Sequence, residues 1–133
     1  MTGINQRQAV VAIIRKSDEF LFIKRSDYTE SAKGYWCPVS GGIEKNETQE
    51  EALKREVKEE VDLDVIAVRK VCEIPSHDNQ SFLHYWTTEI VSGEAKVASH
   101  EATEIKWVTL EEMKQLNPIF QEDIQIFEKM ENG

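Results

Sequence analysis

Residues 41–63 read G-G-I-E-K-N-E-T-Q-E-E-A-L-K-R-E-V-K-E-E-V-D-L. Thr48-x-x-Glu51 has the form of a reciprocal helix cap, which predicts a helix from about Gln49 to Val61. At about 100° per residue, Leu53, Val57 and Val61 form one apolar stripe, with Glu56 and Glu60 along its border. Glu59 lies a little further round, and Lys54 and Lys58 take the opposite side. The three carboxylates are related by three and four positions and project from one face at the edge of the core. Like charges so placed on an exposed face cost only a few tenths of a kcal/mol per pair, so an acidic face alone is ordinarily solvated surface. What lifts this one above that reading is the spacing of the whole stretch. Gly41 is followed by five free positions, Glu47, seven free positions, and then Arg55-Glu56-Val57-x-Glu59-Glu60-x-Asp62-Leu63.

That spacing resembles the signature box of the Nudix hydrolases, which asks for Gly, Glu, Arg, Glu, an apolar residue, Glu, Glu, Gly and an apolar residue at these offsets. Eight of the nine positions match, and Asp62 stands where the family has Gly. On average residue usage such a match is expected in fewer than roughly one window per million. Trp36-Cys37-Pro38-Val39-Ser40-Gly41 is similar to the family's lead-in, and Trp107-Val108 to the strand after its substrate loop, so most of the chain is covered. The resemblance implies one domain over residues 1–133 with the Nudix fold, an α/β (α+β) arrangement of a mixed β-sheet sandwiched between α-helices. It implies hydrolysis of a nucleoside diphosphate linked to another moiety, by water attack at phosphorus. A nucleoside triphosphate pyrophosphohydrolase, including one that sanitises damaged nucleotides, is the alternative within that chemistry. A Nudix-fold module that binds a nucleotide or a protein without turnover is the alternative outside it. An isoprenoid diphosphate isomerase is disfavoured, because Cys37 has no evident matching acid.

The candidate site follows residue by residue. Hard oxygen ligands on one helix face suit Mg²⁺ or Mn²⁺, ions that share their remaining positions with water and substrate phosphates. Glu56, Glu59 and Glu60 are the side-chain candidates, and the resemblance adds the backbone carbonyl of Gly41. It also implies that Arg55 pairs with Glu47, which would fix the loop against the helix and orient the ligands. One more Glu before the last strand serves many members as general base or extra ligand. Glu101 is the candidate here and Glu104 its rival, beside the plain alternative of an exposed loop carboxylate. Trp36 is a candidate substrate-pocket wall, although a Trp beside a loop is as readily core. Arg15, Lys24 and Arg25 are cations within reach of substrate phosphates or ordinary strand-edge charges. For His77, His84 and His100 no partner at a telling spacing occurs.

The rest of the chain bounds these readings. A length of 133 residues with 40% apolar and 31% charged residues suits one compact globular domain. The formal charge of −9 argues against a broad nucleic-acid surface, which needs clustered Lys and Arg, but it does not exclude an anionic substrate bridged by divalent cations. Cys37 and Cys72 form no metal-type pair and read as reduced thiols. The first residues lack the apolar run of a signal peptide and Ala9–Ile14 is too short to span a membrane, so a cytoplasmic location is expected. A small nucleotide-type partner is expected, and homodimerisation rests on the resemblance alone. Strands are expected over Gln8–Lys16, Glu19–Arg25, Val65–Ile74, Ser81–Val91 and Glu104–Val108, the first two central, with 27–34, the start of the box at Gly41-Gly42 and 96–103 as loops. Short and C-terminal helices are expected after Thr109 and Pro118, the second on the spacing of Ile119, Ile124, Phe127 and Met130.

Overall fold

The computed structural model describes residues 6–29 and 31–132. The expected lack of a leader segment concerns the first residues, of which 1–5 lie outside that description. In chain order the elements are β1 (Arg7–Ile13), β2 (Arg15–Lys16), β3 (Glu19–Arg25), β4 (Trp36–Cys37), β5 (Val39–Gly42), α1 (Gln49–Val61), β6 (Asp64–Pro75), β7 (Ser81–Ser92), β8 (Ala102–Val108), α2 (Leu110–Met113) and α3 (Gln121–Asn132). One four-stranded sheet has the order β5-β1-β7-β6, with β1 and β7 parallel and the other pairs antiparallel. In the other, β3 is flanked by β4 and β8 and also pairs with β2, all antiparallel.

Side-chain alternation in β1 and β3 makes these strands the middle layer. Val10 and Ala12, with Leu21 and Ile23, face the core beneath α1, where they meet Leu53, Val57 and Val61. Val11 and Ile13, with Phe20 and Phe22, face the other way toward Met113, Ile124 and Phe127 of α2 and α3. Burial on both faces is why these runs read as continuously apolar, with no polar residue at alternate positions. The result is an α+β fold in which mixed sheet structure is flanked by helices, as expected.

The boundaries of α1 match the sequence expectation. Thr48 caps it reciprocally with Glu51, and Asp62 ends it in the left-handed region at φ 60° and ψ 34°, donating its N–H to the Lys58 carbonyl. Four expectations need correction. The run from Gln8 to Lys16 is two strands, because the chain passes from one sheet to the other at Ile14, whose carbonyl accepts the Leu21 N–H. Val39–Gly42 is a strand and not a loop, since the pairing of Ala9 with Gly42 and of Val10 with Gly41 outweighs the weak strand preference of Gly. Strand β8 starts at Ala102, which pairs with Arg25 across a bulge. Ile119 precedes α3 and bridges to Trp36 through the backbone. Along the loop before β8, Lys96 and Ala98 donate N–H groups to the carbonyls of Val61 and Glu60, satisfying the free end of α1. Among the described residues no helix is long and apolar enough to cross a membrane.

Candidate active site

Arg55 is the hub of the site. Its Nε donates to Glu47 Oε2 at 2.7 Å and its Nη2 to Glu47 Oε1 at 2.9 Å, the bidentate pair that the family resemblance implies. Nη2 also donates to the Gly42 carbonyl at 2.9 Å, and Nη1 to Glu56 Oε1 at 2.8 Å and Glu59 Oε2 at 3.2 Å. One guanidinium thus ties the 43–48 loop and the end of β5 to the acidic face of α1. Its hydrogen bond holds the Glu47 carboxyl down at about 2, with help from the Glu44 N–H.

Glu56 lies against Gly41 so closely that a Cβ there would overlap its carboxyl group. Gly41 has no positive φ, so the glycine is required for this approach and not for an unusual backbone. Burial pushes the Glu56 carboxyl up, against the pull of Arg55. Glu60 is only 4% exposed, and Ser99 Oγ donates to its Oε1 at 2.9 Å while accepting the Glu101 N–H at 3.1 Å. Burial and the adjoining Glu101 carboxyl raise Glu60 well above the usual carboxylate range. Glu59, the most exposed of the three, pairs among the described residues with Arg55 alone. Ser26 fixes the incoming loop: its N–H donates to the Glu101 carbonyl at 2.8 Å and its Oγ to the His100 carbonyl at 2.6 Å.

Glu56, Glu60, Glu101 and Gly41 line one cavity of about 680 Å³, a volume in the range of small-molecule sites. Among the described residues no three His, Cys, Asp or Glu side chains form a ready-made metal cage, since Arg55 engages Glu56 and Glu59. The donor set nevertheless fits a hard divalent cation. It consists only of oxygen, and three carboxyl groups crowd together with two of them raised by burial, a state that added positive charge relieves.

The other candidates separate clearly. Arg25 lines the cavity, with Nε donating to the Ser31 carbonyl at 3.1 Å. Arg15 is paired with Glu131 at 2.6 Å, and Lys24 with Glu104 at 3.7 Å, so Glu104 is engaged elsewhere while Glu101 borders Glu60. Trp36 is corrected: it is 7% exposed, packs in the core under α3 and does not line the cavity, because its strand position pairs it inward against β3. Of the histidines, only His77 lines the cavity; His84 is hydrogen-bonded to Gln8 and His100 packs edge-on against Tyr28. Cys37 also lines it, but burial pushes its thiol up to about 11, which keeps it protonated and unreactive.

Sequence reasoning missed Ser99, Tyr85 and Asp123. For Asp123 a signal existed: it interrupts the apolar stripe of α3 beside Ile124 and four residues before Phe127, and it is buried with them.

A model of the NUDIX domain matches residues 5–130. The chain is 29% identical over 126 residues to the nucleoside triphosphatase NudI of Enterobacter sp. (strain 638), covering 86% of this chain and 89% of that one. It is 29% identical over 109 residues to the NAD-capped RNA hydrolase NudC of Escherichia coli (strain SMS-3-5 / SECEC), where it spans 82% of this chain but 41% of the relative. Among solved structures, the MutT protein from Methanosarcina mazei Go1 superposes with a TM-score of 0.84 at 22% identity, over 99% of this chain and 97% of that one.

Proposed function

Since the chain belongs to the NUDIX domain family, we propose that it is a metal-dependent pyrophosphohydrolase that cleaves a phosphoanhydride bond in a nucleoside diphosphate linked to another moiety. The observation that carries this reading is the Glu56 carboxyl seated where a Cβ of Gly41 would be, beside the Glu60–Ser99–Glu101 chain on the wall of one cavity. The Gly41 carbonyl, Glu56, Glu59 and Glu60 would hold Mg²⁺ or Mn²⁺, which supplies Lewis acidity toward the phosphoryl oxygens and offsets their charge. Glu101 takes the proton of the attacking water as its oxygen bonds to phosphorus, and the bridging P–O bond breaks toward the leaving phosphate. Arg55 and Glu47 touch no substrate in this scheme and position Glu56 and the β5 end. Arg25 binds a phosphate oxygen from the far wall.

A second reading, in which the linked moiety is itself phosphate, is favoured by the match to a nucleoside triphosphatase over nearly the full length of both chains. Free nucleotides in the cytoplasm are the proposed substrates, and the formal charge of −9 argues against a broad nucleic-acid surface. The test is a screen of nucleoside triphosphates and nucleoside-diphosphate conjugates with Mg²⁺, identifying both products and repeating the assay with chelator. Release of a nucleoside monophosphate that stops with chelator and falls sharply in Glu59→Gln and Glu60→Gln is expected. Chelator-insensitive turnover, or unchanged rates in both variants, would overturn the reading.

A further inference from the structure

One cation of the glutamate cavity has no part in the scheme above. Arg7, Ala9 and Val11 are alternate residues of β1, and all three line the cavity. So do their partners on β7, Ser81, Leu83 and Tyr85. Together they form one face of the sheet, a largely apolar floor with a guanidinium at its end. Among the described residues, Arg7 and Arg25 are the Lys or Arg side chains on the cavity wall, and no carboxylate pairs with Arg7 as Glu131 does with Arg15.

The Arg7 side chain turns back over the end of β5. A Cβ on Gly42 would lie 3.2 Å from Arg7 Nη2, tighter than ordinary side-chain packing, so glycine leaves the room that the guanidinium takes. Gly42 pairs with Ala9, two residues or roughly 7 Å along β1 from Arg7, and the guanidinium leans across that interval. The preceding residue is Gly41, whose Cβ position is filled by the Glu56 carboxyl. Successive residues of a strand point to opposite faces, and β5 is the edge of its sheet. Glu56 and Arg7 therefore stand on opposite sides of one strand edge, with the Gly41-Gly42 backbone between them. Glu60 and Glu101 belong with Glu56, since Glu60 follows one turn later on α1 and is joined through Ser99 to Glu101.

In-line displacement at phosphorus puts the attacking water and the departing oxygen on opposite sides of the reacting atom. With the proton acceptor Glu101 on one side of the strand edge, charge develops on the other, where Arg7 stands at the end of the apolar floor. Resting on the nucleotide reading of the glutamate site, we propose that Arg7 binds the departing phosphate, and that this phosphate belongs to the nucleoside monophosphate lying on Ala9, Val11 and Leu83. Water attacks the phosphorus across the bridge from the nucleoside, and Glu101 takes its proton. The bridging P–O bond then breaks with its electron pair kept by the nucleoside monophosphate. That oxygen gains negative charge as the bond lengthens, and Arg7 meets it with N–H donors set in a planar fork.

The test takes whichever of ATP, GTP, CTP, UTP and ADP-ribose the Mg²⁺-loaded wild type hydrolyses fastest. In water carrying heavy oxygen, the label should enter the product that lacks the nucleoside and be absent from the nucleoside monophosphate, a result that needs no variant to fold. Arg7→Ala should lower kcat by about ten- to hundred-fold, the worth of a hydrogen bond to a charged group. KM should stay within about three-fold, because the charge that Arg7 meets grows only as the bond breaks. Arg7→Lys should fall between the two, and millimolar guanidinium chloride should restore turnover to Arg7→Ala but not to Glu101→Gln. By calorimetry without metal, the matching nucleoside monophosphate should bind Arg7→Ala about ten-fold more weakly, while the nucleoside binds as it does to wild type. Label in the nucleoside monophosphate overturns the proposal. A raised KM with unchanged kcat also overturns it, since Arg7 would then anchor the substrate and not the departing group. Chelator-sensitive hydrolysis that Arg7→Ala leaves unchanged sinks only this assignment, whereas failure of the wild type to hydrolyse any of these nucleotides sinks the underlying reading as well.

Discussion

Gly41→Ala tests the geometry of the site without removing any charge. The new Cβ would overlap the Glu56 carboxyl group, so that side chain must swing out and release its 2.8 Å hydrogen bond from Arg55 Nη1. A charge-assisted bond of this kind is worth about 1.5–3 kcal/mol. Replacing Gly by Ala inside a strand returns about 0.5–1 kcal/mol. The net expectation is a loss of about 1–2 kcal/mol, or a fall in Tm of roughly 3–10 °C for a chain of this size. Urea unfolding of Gly41→Ala, Glu56→Ala and the double variant isolates the cause. With Glu56 truncated the overlap disappears, so Gly41→Ala should be neutral or slightly stabilising in that background. Turnover of Gly41→Ala should drop by about ten- to hundred-fold, since the displaced carboxylate is a candidate ligand. An equal stability cost in both backgrounds would refute the reasoning, because the penalty would then come from the β5 backbone and not from Glu56.

The Arg55 hub predicts that Glu47→Ala and Arg55→Ala are strongly non-additive in stability, whereas full additivity would mean the bidentate pair is not formed in solution. Arg55 holds the Glu47 acid near 2 against an ordinary 4.5. The pair's contribution is therefore present above pH 4.5 and lost as the pH falls toward 2, and Glu47→Gln should flatten the acid limb of a urea-midpoint profile over that window. Glu101→Gln should lower kcat at least ten-fold while Glu104→Gln, whose partner is Lys24, stays near wild type; the reverse result would exchange their roles. At the left-handed end of α1, Asp62→Gly should leave turnover within a few-fold and keep the melting temperature, because Gly loses the contacts to Lys58 and Lys96 but also the steric cost of φ 60°. Asp62→Ala keeps the cost without the contacts and should melt lower than either, which circular dichroism would show.

Local chemistry made α1 and its reciprocal cap legible from residues 41–63, and the resemblance of the same stretch to the family box implied the Glu47–Arg55 pair. Each depends on residues at most eight positions apart, so one short window of sequence contains both partners. The apolar runs of β1 and β3 likewise announced a central layer. The sequence could not show which of two faces each strand residue takes once two sheets meet, and so Trp36 was open between core and pocket until its pairing with Lys24 turned it inward. The surroundings of Glu101 depend on Ser99 and Ser26, which act between β3, α1 and β8. Asp123 and Tyr85 stand 38 positions apart and meet only because α3 closes over β7. Such contacts are fixed by which surfaces the packed layers bring together, a property of the whole chain's burial that no window of sequence contains.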